Sequence, residues 1–150
     1  MEQLQELYQQ LILDHNRYPK NYYKLQSANR ECEGFNPLCG DRVAISLKID
    51  NGLINEIYFE GKGCAISTAS ASMMTEFLKG KKLEDFHLTF ERFHNLVTGK
   101  VNSSDQFVEI GKLIAFRGVA DFPVRVKCAT LAWHTLKAAI EKQEQPVTTE

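Results

Sequence analysis

Cys39 and Asp41 stand two residues apart, and in an extended chain that spacing aims a thiol and a carboxylate to the same side, which makes chelation geometrically easy. Cys64 follows Gly61-Lys62-Gly63 and precedes an Ala- and Ser-rich stretch, so it falls at a strand-to-helix junction, where free backbone N–H groups and the helix dipole lower a thiol's pKa. Cys128 lies beside Lys127 and one turn after Arg125, with positive charge within reach. Three thiolates and one carboxylate suit a tetrahedral zinc ion, with sulfur at about 2.3 Å and oxygen at about 2.0 to 2.2 Å. The same four groups also suit a [2Fe-2S] cluster, two ligands to each iron, and their types and spacing do not separate the two. Either centre is anionic, and Arg125, Lys127, Lys62 or Arg42 offset that charge. A hard oxygen ligand binds a soft-ligand centre less tenaciously than a fourth thiolate, which favours exchange over permanent structure.

Plainer readings stand beside this one. No C-x-x-C pair is present, so spacing alone leaves these cysteines equally open as buried core thiols, and Asp41 as the opening residue of a strand. Cys32 has no glycine and only Arg30 as a basic neighbour, and reads as a structural thiol. His15, His87, His94 and His134 lack the i, i+4 spacing of paired ligands and read as surface or packing residues. No histidine adjoins a cysteine, so a Cys-His nucleophile pair has no support.

The elements that must position these groups are legible in the pattern. Leu4, Leu7, Tyr8, Leu11 and Ile12 recur at helical spacing, and Pro19 ends any helix by Tyr18, predicting an amphipathic helix over 2–16. A strand over 30–35 precedes the Asn36-Pro37 break. Alternation from Val43 to Ile49, the turn residues Asp50-Asn51-Gly52, and Leu53, Asn55, Ile57 and Phe59 on the return predict an antiparallel hairpin with one buried face. Residues 65–79 predict a helix ending at Gly80, with Met73 and Met74 in the core. Short helices follow over 81–120, with Leu83, Phe86, Phe90 and Phe93 on one face and Ser103 or Ser104 as a cap. A last helix starts near Asp121 or Phe122, tolerates Pro123 in its first turn, and buries Ala129, Ala132, Trp133, Leu136, Ala139 and Ile140. From about 143 the chain is a polar tail.

The 150 residues are 43% apolar and 10% aromatic, enough for one domain with a real core, and no repeat or linker divides them. The expected class is α+β, a small antiparallel sheet with helices segregated to one side. With 18 basic against 19 acidic residues the net charge is -1, which argues against a nucleic acid or an anionic membrane as partner. The opening MEQLQELYQQ lacks the basic end and apolar run of a signal peptide, and no stretch approaches about 18 apolar residues, so the expected address is the cytoplasm. Four cysteines are sparse for a disulfide scaffold.

Four segments carry a resemblance over nearly the whole length: Asp14-His15-Asn16-Arg17-Tyr18-Pro19-Lys20-Asn21, Asn36-Pro37-Leu38-Cys39-Gly40-Asp41, Gly61-Lys62-Gly63-Cys64 with its Ala/Ser-rich helix, and Phe122-Pro123-Val124-Arg125-Val126-Lys127-Cys128-Ala129-Thr130-Leu131. Together they resemble the U-type iron-sulfur assembly proteins. Two departures bear on the branch: IscU scaffolds place a histidine before the last cysteine where this chain has Lys127, and their Leu-Pro-Pro-Val-Lys chaperone site is absent. The long interval between Cys64 and Cys128 is similar to SufU. The resemblance implies a single SufU/IscU-like domain over 1–150 with a three-stranded antiparallel sheet packed against several helices (SufE/IscU-like). It implies zinc held by Cys39, Asp41, Cys64 and Cys128, with Cys39 expected to accept sulfur as a persulfide and Arg125 and Lys127 as supporting charge. The implied partners are a cysteine desulfurase of the SufS type and a downstream SufB-containing assembly complex; a transient [2Fe-2S] scaffold is the alternative role.

Overall fold

The hairpin Asp41–Asp50 (β2) and Leu53–Lys62 (β3) forms where alternation and the turn predict it, with Asn51 and Gly52 both at positive φ (53° and 75°). Arg30–Asn36 (β1) pairs antiparallel with β2, from Arg30 opposite Leu47 to Asn36 opposite Asp41. Helix α1 spans Glu2–Arg17, α2 Ala65–Leu78, α3 Leu83–Thr98 and α4 Pro123–Ile140. The computed structural model describes the backbone of residues 2–100 and 104–149. Ser103 and the side chains of Leu4 and Ser104, named above for a helix face and a cap, lie outside the described residues.

The class is α+β, with three antiparallel strands as expected and one addition. Val147–Thr148 (β4), within the polar tail, pairs parallel with Gly34–Phe35 at the edge of β1, giving the order β3-β2-β1-β4. Val147 packs against the core and the Thr149 N–H donates to the Phe35 carbonyl at 3.0 Å, so two ladder residues and one apolar contact hold the segment. β3 also departs from simple alternation. The ladder shifts register at Lys48/Ile49, where Asn55 is the extra residue between the Ile49–Ile54 and Lys48–Glu56 pairs, and Ile54 rather than Asn55 joins Ile57 and Phe59 in the core.

The sheet's buried face runs through Cys32, Gly34 and Asn36 on β1 and Asp41, Val43, Ile45 and Leu47 on β2, so its last two positions, Asn36 and Asp41, are polar and fall under α4. α4 approaches closely because Gly34 has no side chain: a Cβ there would stand 2.0 Å from Thr135 Oγ1. α2 buries a run of small residues (Ser67, Ala69, Ser70, Ala71, Ser72), and Ser70 Oγ links it to α4, donating to the Ala129 carbonyl at 2.6 Å and accepting from Trp133 Nε1 at 3.1 Å. Trp133 stacks on Phe93 of α3, with ring centroids 4.5 Å apart. Between α3 and α4, Ser104–Asp121 is 3-10 helix interrupted at Gly111 (φ 54°).

The Asp14–Asn21 segment anchors α1 to α2. His15 Nδ1 meets Ser72 Oγ at 2.7 Å, the Lys20 N–H donates to the same hydroxyl at 2.7 Å, and Asn21 Nδ2 donates to Thr75 Oγ1 at 3.1 Å. His15 is thus a buried packing residue, and burial pushes its imidazole below the ordinary histidine range although Glu76 pulls it upward.

Gly34→Ala should lower stability by about 1 to 3 kcal/mol, the usual effect of forcing atoms into a filled core. Thr135→Ala in the same chain should recover part of the loss, because the obstructing Oγ1 is gone while its Cβ sits at 3.3 Å. Urea unfolding of the single and double variants tests this.

Candidate metal centre

The three elements that meet at the polar end of the sheet each bring a sulfur. Asn36 and Asp41 close a four-residue hairpin loop, Pro37-Leu38-Cys39-Gly40, in which the Asn36 carbonyl accepts from the N–H groups of Cys39 (3.3 Å) and Gly40 (2.9 Å) and Gly40 takes φ 71°. Cys39 is therefore presented from a turn, next to Leu38, which is 66% exposed. Cys64 is the N-cap of α2, and its sulfur accepts from the Ser67 N–H at 3.4 Å. Cys128 lies in the second turn of α4 and is fully buried.

Cys39 Sγ, Cys128 Sγ and an Asp41 carboxylate oxygen all lie within 4.8 Å of one another. The two sulfurs are 3.5 Å apart, and all four cysteines are free thiols. Cys64 joins through the carboxylate: its N–H donates to Asp41 Oδ1 at 2.8 Å and its sulfur is 3.9 Å from Oδ2. Ligand pairs on a tetrahedral ion with Zn–S near 2.3 Å stand about 3.7 Å apart, so Cys39, Cys128 and Asp41 are spaced to hold one, while Cys64 stands outside this mutually close group and reaches it through Asp41 Oδ2. Burial, the Cys39 thiol, the Asp41 carboxylate and Cys64 together push the Cys128 thiol far above the ordinary thiol range. That differs from the thiolate-favouring setting expected from sequence, because Cys128 sits under the protein rather than among cations. Crowding of this kind is met either by protons on the thiols or by a bound cation that replaces them, which is the relation between proton release and metal affinity in thiolate sites.

Arg125 and Lys127 separate in space. Arg125 is one turn from Cys128 on the same face of α4, and interaction with the Cys128 thiol and the negative field of the clustered thiols strengthens its hold on its proton. Lys127 points around the helix and lines a groove with His134, Lys137 and Val147–Thr149. Of the other cations considered, Arg42 stacks over the Phe35 ring at 5.4 Å. His94 and His134 face each other and Phe90 as packing residues, and burial lowers both below the ordinary histidine range. Cys32 is buried in β1, with its sulfur 3.8 Å from the Gln145 carbonyl, apart from the cluster.

Two residues escaped the reading of the sequence. Asn36, taken there as a chain breaker, is fully buried and directs Nδ2 to Asp41 Oδ2 (3.4 Å) and to Cys128 Sγ (3.5 Å). Its position directly opposite Asp41 across a four-residue loop is the signal that could have found it. Gly63 is required by packing: a Cβ there would stand 2.5 Å from Asp41 Oδ1. Asp41 itself is 1% exposed and held on both oxygens, which bears against the expectation that the carboxylate is the readily exchanged ligand.

The profile of the NifU-like N terminal domain family matches residues 7–149. This chain belongs to that family. It is 40% identical over 141 residues to the zinc-dependent sulfurtransferase SufU of Bacillus subtilis, covering 94% of each chain. It is 38% identical over 142 residues to the cluster assembly scaffold IscU of Streptococcus pyogenes, covering 95% of this chain and 87% of the other. A solved chain described as a SUF-system assembly scaffold from Fervidobacterium islandicum AW-1 superposes with TM-score 0.80 at 35% identity, covering 87% of this chain and 93% of that one. The family is the NifU/IscU/SufU type of iron-sulfur cluster assembly protein, and relatives of both SufU and IscU name stand at similar identity. Among the described residues, no helix is long and apolar enough to cross a membrane.

Gly63→Ala should leave the fold intact and weaken metal binding at least tenfold, since the added methyl displaces the Asp41 carboxylate; chelator competition measures it. Loading zinc at neutral pH should release at least one proton, because the raised Cys128 thiol must lose its hydrogen to ligate, and affinity should therefore rise with pH. Calorimetry in buffers of different ionisation enthalpy counts the protons; no release would contradict the ligand assignment.

Proposed function

We propose that this chain is a zinc-dependent sulfur acceptor that works with a cysteine desulfurase of the SufS type and passes sulfur toward a SufB-containing assembly complex. One observation carries the reading: the three clustered thiols are held unequally. Cys128 is immobilised inside α4 and Cys64 caps α2, while Cys39 stands in a turn whose neighbour Leu38 is exposed. The zinc-dependent sulfurtransferase relative supports it. So does the apolar surface beside the site, where Leu38 adjoins Cys39, and exposed Phe122 and Val124 precede Cys128 on α4; apolar surface next to reactive groups suits a protein partner.

In this reading Cys39, Asp41, Cys64 and Cys128 are the ligands and Arg125 the supporting charge. Bound zinc would keep the thiols deprotonated at neutral pH and shield them from solvent chemistry. Cys39 Sγ, once released toward the partner, attacks the terminal sulfur of the desulfurase's cysteine persulfide. A bond forms between Cys39 Sγ and that sulfur, the S–S bond of the desulfurase breaks, and its electron pair leaves with the desulfurase cysteine as thiolate. No outside oxidant or reductant is needed. Arg125, exposed and one turn from Cys128 on α4, favours approach of the anionic persulfide.

A second reading, a transient scaffold that receives a [2Fe-2S] cluster as cargo on the same four groups, is favoured by the IscU relatives. Metal analysis of protein purified without added metal distinguishes them: near-stoichiometric zinc, no colour and stimulation of a desulfurase support the acceptor, and a stable brown form containing iron and sulfide supports the scaffold.

Cys39→Ser should stay folded and retain some zinc, yet abolish stimulation of the desulfurase, while Cys32→Ser should behave as the unaltered protein. Mass spectrometry after incubation with desulfurase and cysteine should place the added sulfur on Cys39; sulfur found on Cys64, Cys128 or Cys32 and never on Cys39 would overturn the assignment.

A further inference from the structure

Asn36 has no charge to contribute and no surface to present, yet its carboxamide is wedged between two of the clustered donors. Its orientation is dictated by chemistry. An ionised carboxylate oxygen only accepts, so the NH2 group faces Asp41 Oδ2 (3.4 Å) and with it Cys128 Sγ (3.5 Å). The consequence is that Asn36 Oδ1 is buried without a hydrogen-bond partner. Burying an acceptor unpaired is unfavourable, and an apolar residue of similar size would avoid it. The arrangement makes sense where the two N–H groups do something an apolar residue cannot.

Those two N–H groups fall on Asp41 and Cys128, and Asp41 is held a second time by the Cys64 N–H at 2.8 Å. Cys64 is held by its own helix through the Ser67 N–H. Among the described residues, Cys39 receives no such hold on its sulfur beyond its 3.5 Å contact with Cys128. A carboxylate oxygen and a thiolate sulfur each have lone pairs enough to accept an N–H and still ligate, so the clamp persists when a cation is bound.

We infer that Asn36 is a positioning residue that selects which ligand leaves: by tethering Asp41 and Cys128 together it confines exchange to Cys39. The same main chain serves the selection, because the Asn36 carbonyl shapes the turn that carries Cys39. This rests on the zinc reading proposed above and deepens it, since it assigns the exchange to one ligand and a structural cause to that choice.

The test uses zinc-loaded protein alone, with limiting iodoacetamide and mass mapping of each cysteine over time, alongside zinc transfer to a chromophoric chelator. In the unaltered protein Cys39 should be alkylated at least tenfold faster than Cys64 or Cys128. In Asn36→Ala, with fold verified by circular dichroism, the Cys39 and Cys128 rates should converge to within about threefold, with Cys64 still slow, and zinc transfer should accelerate, while Asn36→Ser, which keeps a donor, should restore part of the selectivity. Alkylation of Cys64 or Cys128 first in the unaltered protein overturns the inference without any variant, and so does an Asn36→Ala protein that keeps the original order and transfer rate. Protein that cannot be loaded with zinc overturns this inference together with the zinc reading beneath it. Loaded protein that shows the expected order but does not stimulate a desulfurase overturns the proposed function alone.

Discussion

The hydrogen bond from the Cys64 N–H to Asp41 Oδ1, 2.8 Å long, joins the first residue of β2 to the cap of α2, and the site exists because that junction closes. It requires Gly63, since any side chain there would occupy the carboxylate's place. It also ties the start of α2 to the sheet, and α2 lies beside α4 with Ser70 bonded across the contact. Cys128 then falls over the end of β1 and β2. Two sulfurs and a carboxylate that are far apart in sequence thus converge because one backbone amide and one missing Cβ set the angle between strand and helix.

Local pattern revealed most of the framework. Alternation and an Asn-Gly turn are short-range signals, and they located β2, β3 and their connection. The buried face of the sheet carried the site without announcing it: Asn36 and Asp41 continue the parity of Gly34 and Val43, so the metal centre is the polar end of a face that is otherwise apolar. The bulge at Asn55 was invisible because a single inserted residue leaves both flanks looking regularly alternating. The strand Val147–Thr148 was invisible because two residues in a polar tail carry no period; only the unpaired edge of β1 explains why they stop there.

The candidate site was readable as a set of residue types and much less as a set of relations. Lys127 is adjacent to Cys128 in the chain but about 100° around the helix, whereas Arg125, three residues back, shares its face. Cys128 looked activated because cations flank it in sequence, and the fold instead surrounds its sulfur with other donors and little water. Asn36 looked like punctuation before a proline and is a buried partner of two ligand groups. In each case the decisive fact is a direction in three dimensions that the linear order does not encode.

Trp133 is the chain's only tryptophan, and it lies five residues beyond Cys128 on α4. Its indole N–H ends on Ser70 of α2, the helix that begins at Cys64, and its ring stacks on Phe93. The separation of the two helices that carry Cys64 and Cys128 is therefore coupled to the polarity around a single buried chromophore. Ultraviolet emission from this one native side chain should therefore follow movement between the two helices that carry the site, with no label attached.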